Sequence, residues 1–102
     1  MGTSQERKEL FDSIITKAPD IMFAKAHDYN VAEDVNANFK AYKLIGVSPT
    51  DGVLARLVDK ICRLSSISRK EAMVKDESVE DTIVDIINYS IILAHIMKDK
   101  DV

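Results

Sequence analysis

Asp81-Thr82-Ile83-Val84-Asp85-Ile86-Ile87-Asn88-Tyr89-Ser90-Ile91-Ile92-Leu93-Ala94-His95-Ile96-Met97 is apolar at nearly every position except a sparse polar series. Asp81, Asp85 and Asn88 follow one another at steps of four and three, so an α-helix stacks them along one face. A helix this apolar elsewhere is expected to be buried on most sides. Carboxylates on it must meet cations, from the protein or from a ligand, because an unpaired buried charge costs several kcal/mol. This helix is therefore the first place to look for function.

Working upstream, Ser78 with Asp81 reads as the cap of this last helix, which runs to about Lys98. Ser65 to Asp76 is polar and reads as a flexible link. Before it, Ser48-Pro49-Thr50-Asp51 combines a capping serine, a proline at the first helical position and an acid in the first turn. The helix it opens is expected to reach about Leu64 and to bury Val53 or Leu54, Leu57, Val58, Ile61 and Leu64. A short helix from about Asn36 to Ile45 ends at Gly46, a left-handed stop. Asn30 to Asn38 is a polar connector. At the start, Thr3 with Glu6 forms a capping box for a helix carried by Leu10, Phe11, Ile14 and Ile15. Pro19 is expected to break or restart that helix, with a second piece from Asp20 to about Tyr29. Alternation of period two is missing almost throughout. The fold expected is an all-α small helical bundle of four to five helices.

With 102 residues the chain forms a single domain, 1–102, with no room for a second core. Its apolar share of 46% and charged share of 30% belong to a globular rather than a disordered chain. A net charge of −3 argues against direct nucleic-acid binding, which normally needs a basic surface, but leaves room for a local basic pocket. Cys62 stands alone, which excludes a disulfide framework and suits a reduced, cytoplasmic setting with Cys62 in the core. The N-terminal residues lack the apolar stretch of a signal peptide, and no run is long enough for a membrane span.

The helix opened by Pro49 carries a stripe that answers the carboxylates. Arg56, Asp59, Lys60 and Arg63 share one face of it, with Leu54, Leu57, Val58 and Ile61 opposite. Helices joined by a short link usually pack antiparallel, so the basic stripe can face Asp81 and Asp85. One reading makes these charges salt bridges and a solvated face. The other places an anionic ligand between the helices, its phosphates met by Arg56, Lys60 and Arg63 and a divalent cation at Asp81 and Asp85. Mg²⁺ suits such a site, since it takes oxygen ligands and retains water. Two histidines, His27 and His95, are too few for a histidine metal centre or a hydrolase triad. His95 reads as a helix C-terminal residue favoured by the dipole. Gly2, Gly46 and Gly52 are isolated and make no phosphate loop. Tyr29, Phe39, Tyr42 and Tyr89 can stack on a base or fill the core.

Lys25-Ala26-His27-Asp28-Tyr29-Asn30, Asn38-Phe39, Gly52-Val53-Leu54-Ala55-Arg56-Leu57-Val58-Asp59-Lys60-Ile61-Cys62-Arg63-Leu64, Val74-Lys75-Asp76-Glu77-Ser78-Val79-Glu80-Asp81 and Asp85-Ile86-Ile87-Asn88-Tyr89 together resemble the first nucleotide-modification-associated domain family. The likeness spans about residues 20 to 95. That family is a helical domain frequent in bacteriophages and is similar in outline to the all-α nucleoside triphosphate pyrophosphatases, which bind Mg²⁺ through acidic residues on facing helices. The resemblance implies a nucleotide or nucleotide-derived ligand. It casts Lys25, Asp28, Tyr29, Asp59, Lys60, Arg63, Asn88 and Tyr89 as site residues, with Asp81 and Asp85 among them. The pyrophosphatases usually carry Glu-Glu-x-x-Glu on one helix and Glu-x-x-Asp on the next. Here Asp81 and Asp85 are four apart and no Glu-Glu-x-x-Glu precedes them, so the hydrolase cage is incomplete.

Two functions follow as expectations. The first is a nucleotide-binding protein of phage type that holds a nucleotide-derived ligand without turnover, a cyclic nucleotide immune signal being one such ligand. The second is a Mg²⁺-dependent nucleoside triphosphate pyrophosphatase in nucleotide metabolism or DNA base modification, with Asp81 and Asp85, and Asp28 or Glu77 beside them, on the metal. An accessory protein with no small ligand is a third. A chain this short builds a deep pocket most readily at a subunit seam, so a homo-oligomer is expected.

Overall fold

The computed structural model describes residues 2–29, 34–69, 76–100 and 102, with side chains described outside 25–29 and 76–78. The described residues form helices and no strand: α1 (Ser4–Tyr29), α2 (Ala37–Lys40), a 3-10 turn (Ala41–Ile45), α3 (Pro49–Ser68) and α4 (Asp76–Lys98). The all-α reading holds. The first cap is as expected, with the Glu6 N–H donating to Thr3 Oγ1 at 3.1 Å. At the second, the Asp51 N–H donates to Ser48 Oγ at 3.0 Å and Pro49 opens α3. Gly46 closes the 3-10 turn with φ +76°, a backbone conformation that side chains disfavour.

Pro19 does not divide the first helix. α1 runs through it for 26 residues. A proline removes one helix donor and crowds the carbonyl four residues back, but residues on both sides of it pack on one neighbour. Ile14 and Ala18 before it and Ile21 after it gather around Val84 of α4, with Ile83 and Ile87. Lys17 pairs with Glu80 across the same contact. Packing on both flanks outweighs the local defect.

α3 and α4 form the main seam and run antiparallel. Lys60, midway along α3, meets Asp85 of α4, while Val102, beyond the end of α4, lies beside Ser48 and Pro49 at the start of α3. Val53, Leu57, Lys60 and Leu64, at steps of four, three and four, form the row that turns toward α4. Val53, Val84 and Ile96 are fully buried or nearly so, and each such side chain contributes about 1.5–3 kcal/mol. A polar clasp ties the chain end to the segment before α2. Lys40 pairs with Asp34 and, at 3.1 Å, with Asp99, and Asn36 Nδ2 donates to Asp99 Oδ2 at 3.0 Å.

Several expectations are corrected. Val58 and Ile61 are exposed rather than buried, and of Val53 or Leu54 it is Val53 that is buried, because α3 packs chiefly on α4 while α1 lies against a different face of α4. Cys62 is exposed, since it sits on the side of α3 away from the α4-facing row. α3 continues to Ser68, so Ser65 to Ser68 are helical and not part of a link; residues 70–75 of that link lie outside the described residues. α4 begins at Asp76, so Ser78 lies inside it rather than capping it. Ile91 and Met97 of α4 are exposed, so that helix is buried on fewer sides than its composition implies. The connector expected at Asn30 to Asn38 falls outside the description for residues 30–33.

Candidate functional site

The polar seam of α3 and α4 is set by their register. Lys60 Nζ lies 2.9 Å from Asp85 Oδ2, and both side chains are half-buried. One turn back along α3, Arg56 comes within the field of Tyr89 on α4, as an antiparallel register centred on Lys60 and Asp85 requires. One turn forward, the same register brings Arg63 toward the Asp81 end of α4. Arg63, Arg56, Asp59 and Asp81 are exposed. Among the described residues no carboxylate forms an ion pair with Arg63.

The 3-10 turn supplies the other wall. Tyr42 lies over Gly52, where a Cβ would run into its ring. The ring makes an edge-on contact with Phe39, with centroids 5.8 Å apart. Arg56 Nε–H donates to the Tyr42 hydroxyl at 3.3 Å, a long and therefore weak hydrogen bond. The Tyr42 hydroxyl holds the Arg56 guanidinium above its usual range; Tyr89 and Asp59 act in the same direction, and burial acts against them. Arg56 is thus a permanently charged, exposed residue lightly tethered to Tyr42.

Asn88 has a structural position. It is only 7% exposed, and its Nδ2 donates to the Ala18 carbonyl at 3.0 Å, joining α4 to α1 next to Pro19. Its Oδ1 is buried with no hydrogen-bond partner among the described residues. A buried acceptor left unpaired costs free energy unless a donor reaches it.

The structure therefore brings Arg56, Lys60, Asp85 and Tyr89 together and leaves Arg63, Asp59 and Asp81 at the solvent edge. Asn88 turns toward α1. Lys25, Asp28 and Tyr29 end α1, with side chains outside the described set, as is that of Glu77. The sequence reading passed over Tyr42 and Gly52 as a pair. The available signal was a glycine inside a well-capped helix, where it costs about 1 kcal/mol relative to alanine and so marks a close approach.

Mg²⁺ was the cation implied for Asp81 and Asp85. Asp85 is occupied by Lys60, and the described residues contain no group of three or more His, Cys, Asp or Glu side chains placed to hold a metal. Two carboxylates four residues apart leave most of an octahedral shell to water and ligand oxygens. The described donors do not make a metal cage by themselves, and no chemical step is derived through one. A depression of about 520 Å³ lined by Cys62, Ser65, Ser66 and Arg69 lies on the opposite side of α3 from Lys60 and is separate from this seam. No described helix is long and apolar enough to cross a membrane.

Among known proteins, neither the curated sequences nor the solved structures give a significant match. The family described as nucleotide modification associated domain 1 matches residues 25–97, which take in the last turns of α1, the whole of α2 and α3, and α4 up to its penultimate residue. On that match, which covers most of the chain and all of the polar seam, the chain belongs to the nucleotide modification associated domain 1 family.

Proposed function

We propose that this chain binds a phosphate-bearing, nucleotide-derived ligand along the polar face of the α3–α4 seam and holds it without cleaving it. The observation that carries this reading is the uneven use of the cations. Lys60 is neutralised by Asp85, whereas Arg56 and Arg63 are exposed residues on the same face with no ion pair to a carboxylate among the described residues. They are separated by two helical turns, about 10 Å along the axis. Guanidinium groups so spaced suit a ligand with phosphates at separate positions, each open to a charge-assisted, bidentate contact. Tyr42, hydrogen-bonded to Arg56, and Tyr89, one helical turn along α4 from Asp85, are the aromatic groups proposed to meet a base.

Membership in a nucleotide-modification-associated family supports a nucleotide as the ligand class. Sequestration of a cyclic nucleotide immune signal by a phage-encoded chain is the biological role that fits binding without turnover. The Lys60–Asp85 pair favours this over hydrolysis, since a Mg²⁺-dependent pyrophosphatase using Asp81 and Asp85 must first free Asp85 from its lysine.

The experiment is to incubate the protein with linear and cyclic nucleotides in the presence of Mg²⁺, remove free ligand, denature the protein and analyse what is released. Intact ligand is the expected product. Release of a monophosphate with pyrophosphate in the supernatant contradicts capture and supports the pyrophosphatase reading. Recovery of nothing from any nucleotide leaves the accessory-protein reading.

A further inference from the structure

The chain exposes more surface in total than a compact monomer of its mass. A folded monomer of 11.4 kDa exposes about 5,800 Å², whereas this chain exposes 7681 Å². The excess, roughly 1,900 Å², is about twice the ~800 Å² that one partner contributes to a standard interface. The radius of gyration points the same way, at 15.8 Å against about 13 Å for a compact domain of this length. Buried apolar side chains among the described residues are limited to Ile14, Ala18, Pro49, Val53, Val84 and Ile96.

Large apolar side chains stand exposed along the chain, and two of the places where they do so suit an interface. No residue from Ser4 to Ser13 is buried, so the first half of α1 stands off the bundle as an arm. A helical segment this short is marginal in water without packing, yet it carries Leu10 and Phe11 exposed, with exposed Ile15 extending the row. The second place is the α3 stripe of Leu54, Val58 and Ile61, all exposed at steps of four and three, the spacing of a helix-packing seam. It lies on the face of α3 away from Arg56 and Arg63.

We infer that these two faces form an interface between two copies of this chain, with the α1 arm of each protomer packed on the α3 stripe of the other. A second copy is the occupant because the chain supplies both halves of the contact. A two-fold arrangement buries both apolar sets twice, and the surplus surface is more than the share one partner gives to a standard interface. The polar face of the α3–α4 seam stays open in this arrangement. The inference concerns the ligand-free protein and does not depend on nucleotide binding.

The test is the solution mass of the full ligand-free chain by light scattering coupled to gel filtration, at high micromolar concentration. The expected mass is twice 11.4 kDa or a larger even multiple. Phe11→Asp and Val58→Asp each return it to 11.4 kDa while keeping the helical circular dichroism, since both side chains are exposed in the protomer. Cys62, next to the stripe, should react more slowly with a maleimide in the wild type than in Val58→Asp. A monomeric wild type overturns the inference whatever the variants do, and so do two aspartate variants that both keep the wild-type mass.

Discussion

Lys60 and Asp85 meet at 2.9 Å across the α3–α4 seam, and that contact marks which residues of the two helices lie opposite each other. The pair is about one quarter exposed at each partner, 28% and 23%, so solvent screens it and its contribution is modest. A double-mutant cycle with Lys60→Met and Asp85→Asn should give a coupling of roughly 0.5–1 kcal/mol in urea unfolding at low salt. The coupling should shrink at molar salt, where the screening length is about 3 Å. Zero coupling at low salt would mean that the register is set by the apolar row alone.

Gly52→Ala separates two opposed effects. Alanine gains about 1 kcal/mol of helix propensity over glycine, but here its Cβ meets the Tyr42 ring. Overpacking of this kind costs about 1–3 kcal/mol, so the net change should be a loss of stability or close to neutral. Gly52→Ala in a Tyr42→Ala background removes the obstacle, and the same substitution should then raise the melting temperature. Stabilisation by Gly52→Ala alone would show that the Tyr42–Gly52 contact is loose in solution.

Asn88→Asp puts a carboxylate where an amide N–H now donates to the Ala18 carbonyl. Burial raises the folded pKa of the new acid above its unfolded value of about 3.9. Its ionised form therefore destabilises the fold at neutral pH, by about 3 kcal/mol or more, and the loss shrinks as pH falls and the acid is protonated. Asn88→Ala should cost less, about 1–3 kcal/mol, with no such pH dependence. Chemical unfolding of both variants at neutral and acidic pH checks this, and equal losses at both pH values for Asn88→Asp would contradict the buried position.

The clasp of Asp34, Lys40 and Asp99 has a defined pH window. The Lys40 ammonium and the Asn36 N–H hold the Asp34 carboxyl below its ordinary 3.8. Asp34 and Asp99 hold the Lys40 ammonium above its ordinary 10.5. A depressed carboxyl contributes stability that is complete above the unfolded value and lost as pH falls through the folded one. A raised ammonium contributes stability that is complete below the unfolded value and lost as pH rises through the folded one. The clasp should stay closed across the whole neutral range and open only at the two extremes. Carboxyl chemical shifts of Asp34, followed by acid titration, give the measurement; a midpoint at or above 3.8 would remove the clasp from the account.

Much of the fold was legible because its signals are local. The Thr3 and Ser48 caps, Pro49 at the start of α3 and the left-handed Gly46 each act within a few residues, and each stands where the sequence puts it. What misled were features settled by distant partners. Pro19 reads as a break until Ile14, Ala18 and Ile21 are seen packing around one residue of α4. Val58 and Ile61 read as core because helical periodicity marks an apolar face without saying whether anything covers it. The pairing of Lys60 with Asp85 was accessible from helix spacing and a short link. The inward turn of Asn88 toward Ala18 was not, since it depends on which face of α4 the first helix occupies.

An anionic, nucleotide-derived ligand is proposed to sit against the exposed residues Arg56 and Arg63 on the polar face of the α3–α4 seam. Isothermal titration of wild type and Arg63→Ala with a panel of linear and cyclic nucleotides tests it most directly. At least one nucleotide should bind the wild type and bind Arg63→Ala ten- to a hundred-fold more weakly, the loss of a charge-assisted contact worth about 1.5–3 kcal/mol. The melting temperature of the ligand-free variant should be unchanged. Binding that is equal in the two proteins, or no binding by any nucleotide, would contradict the claim.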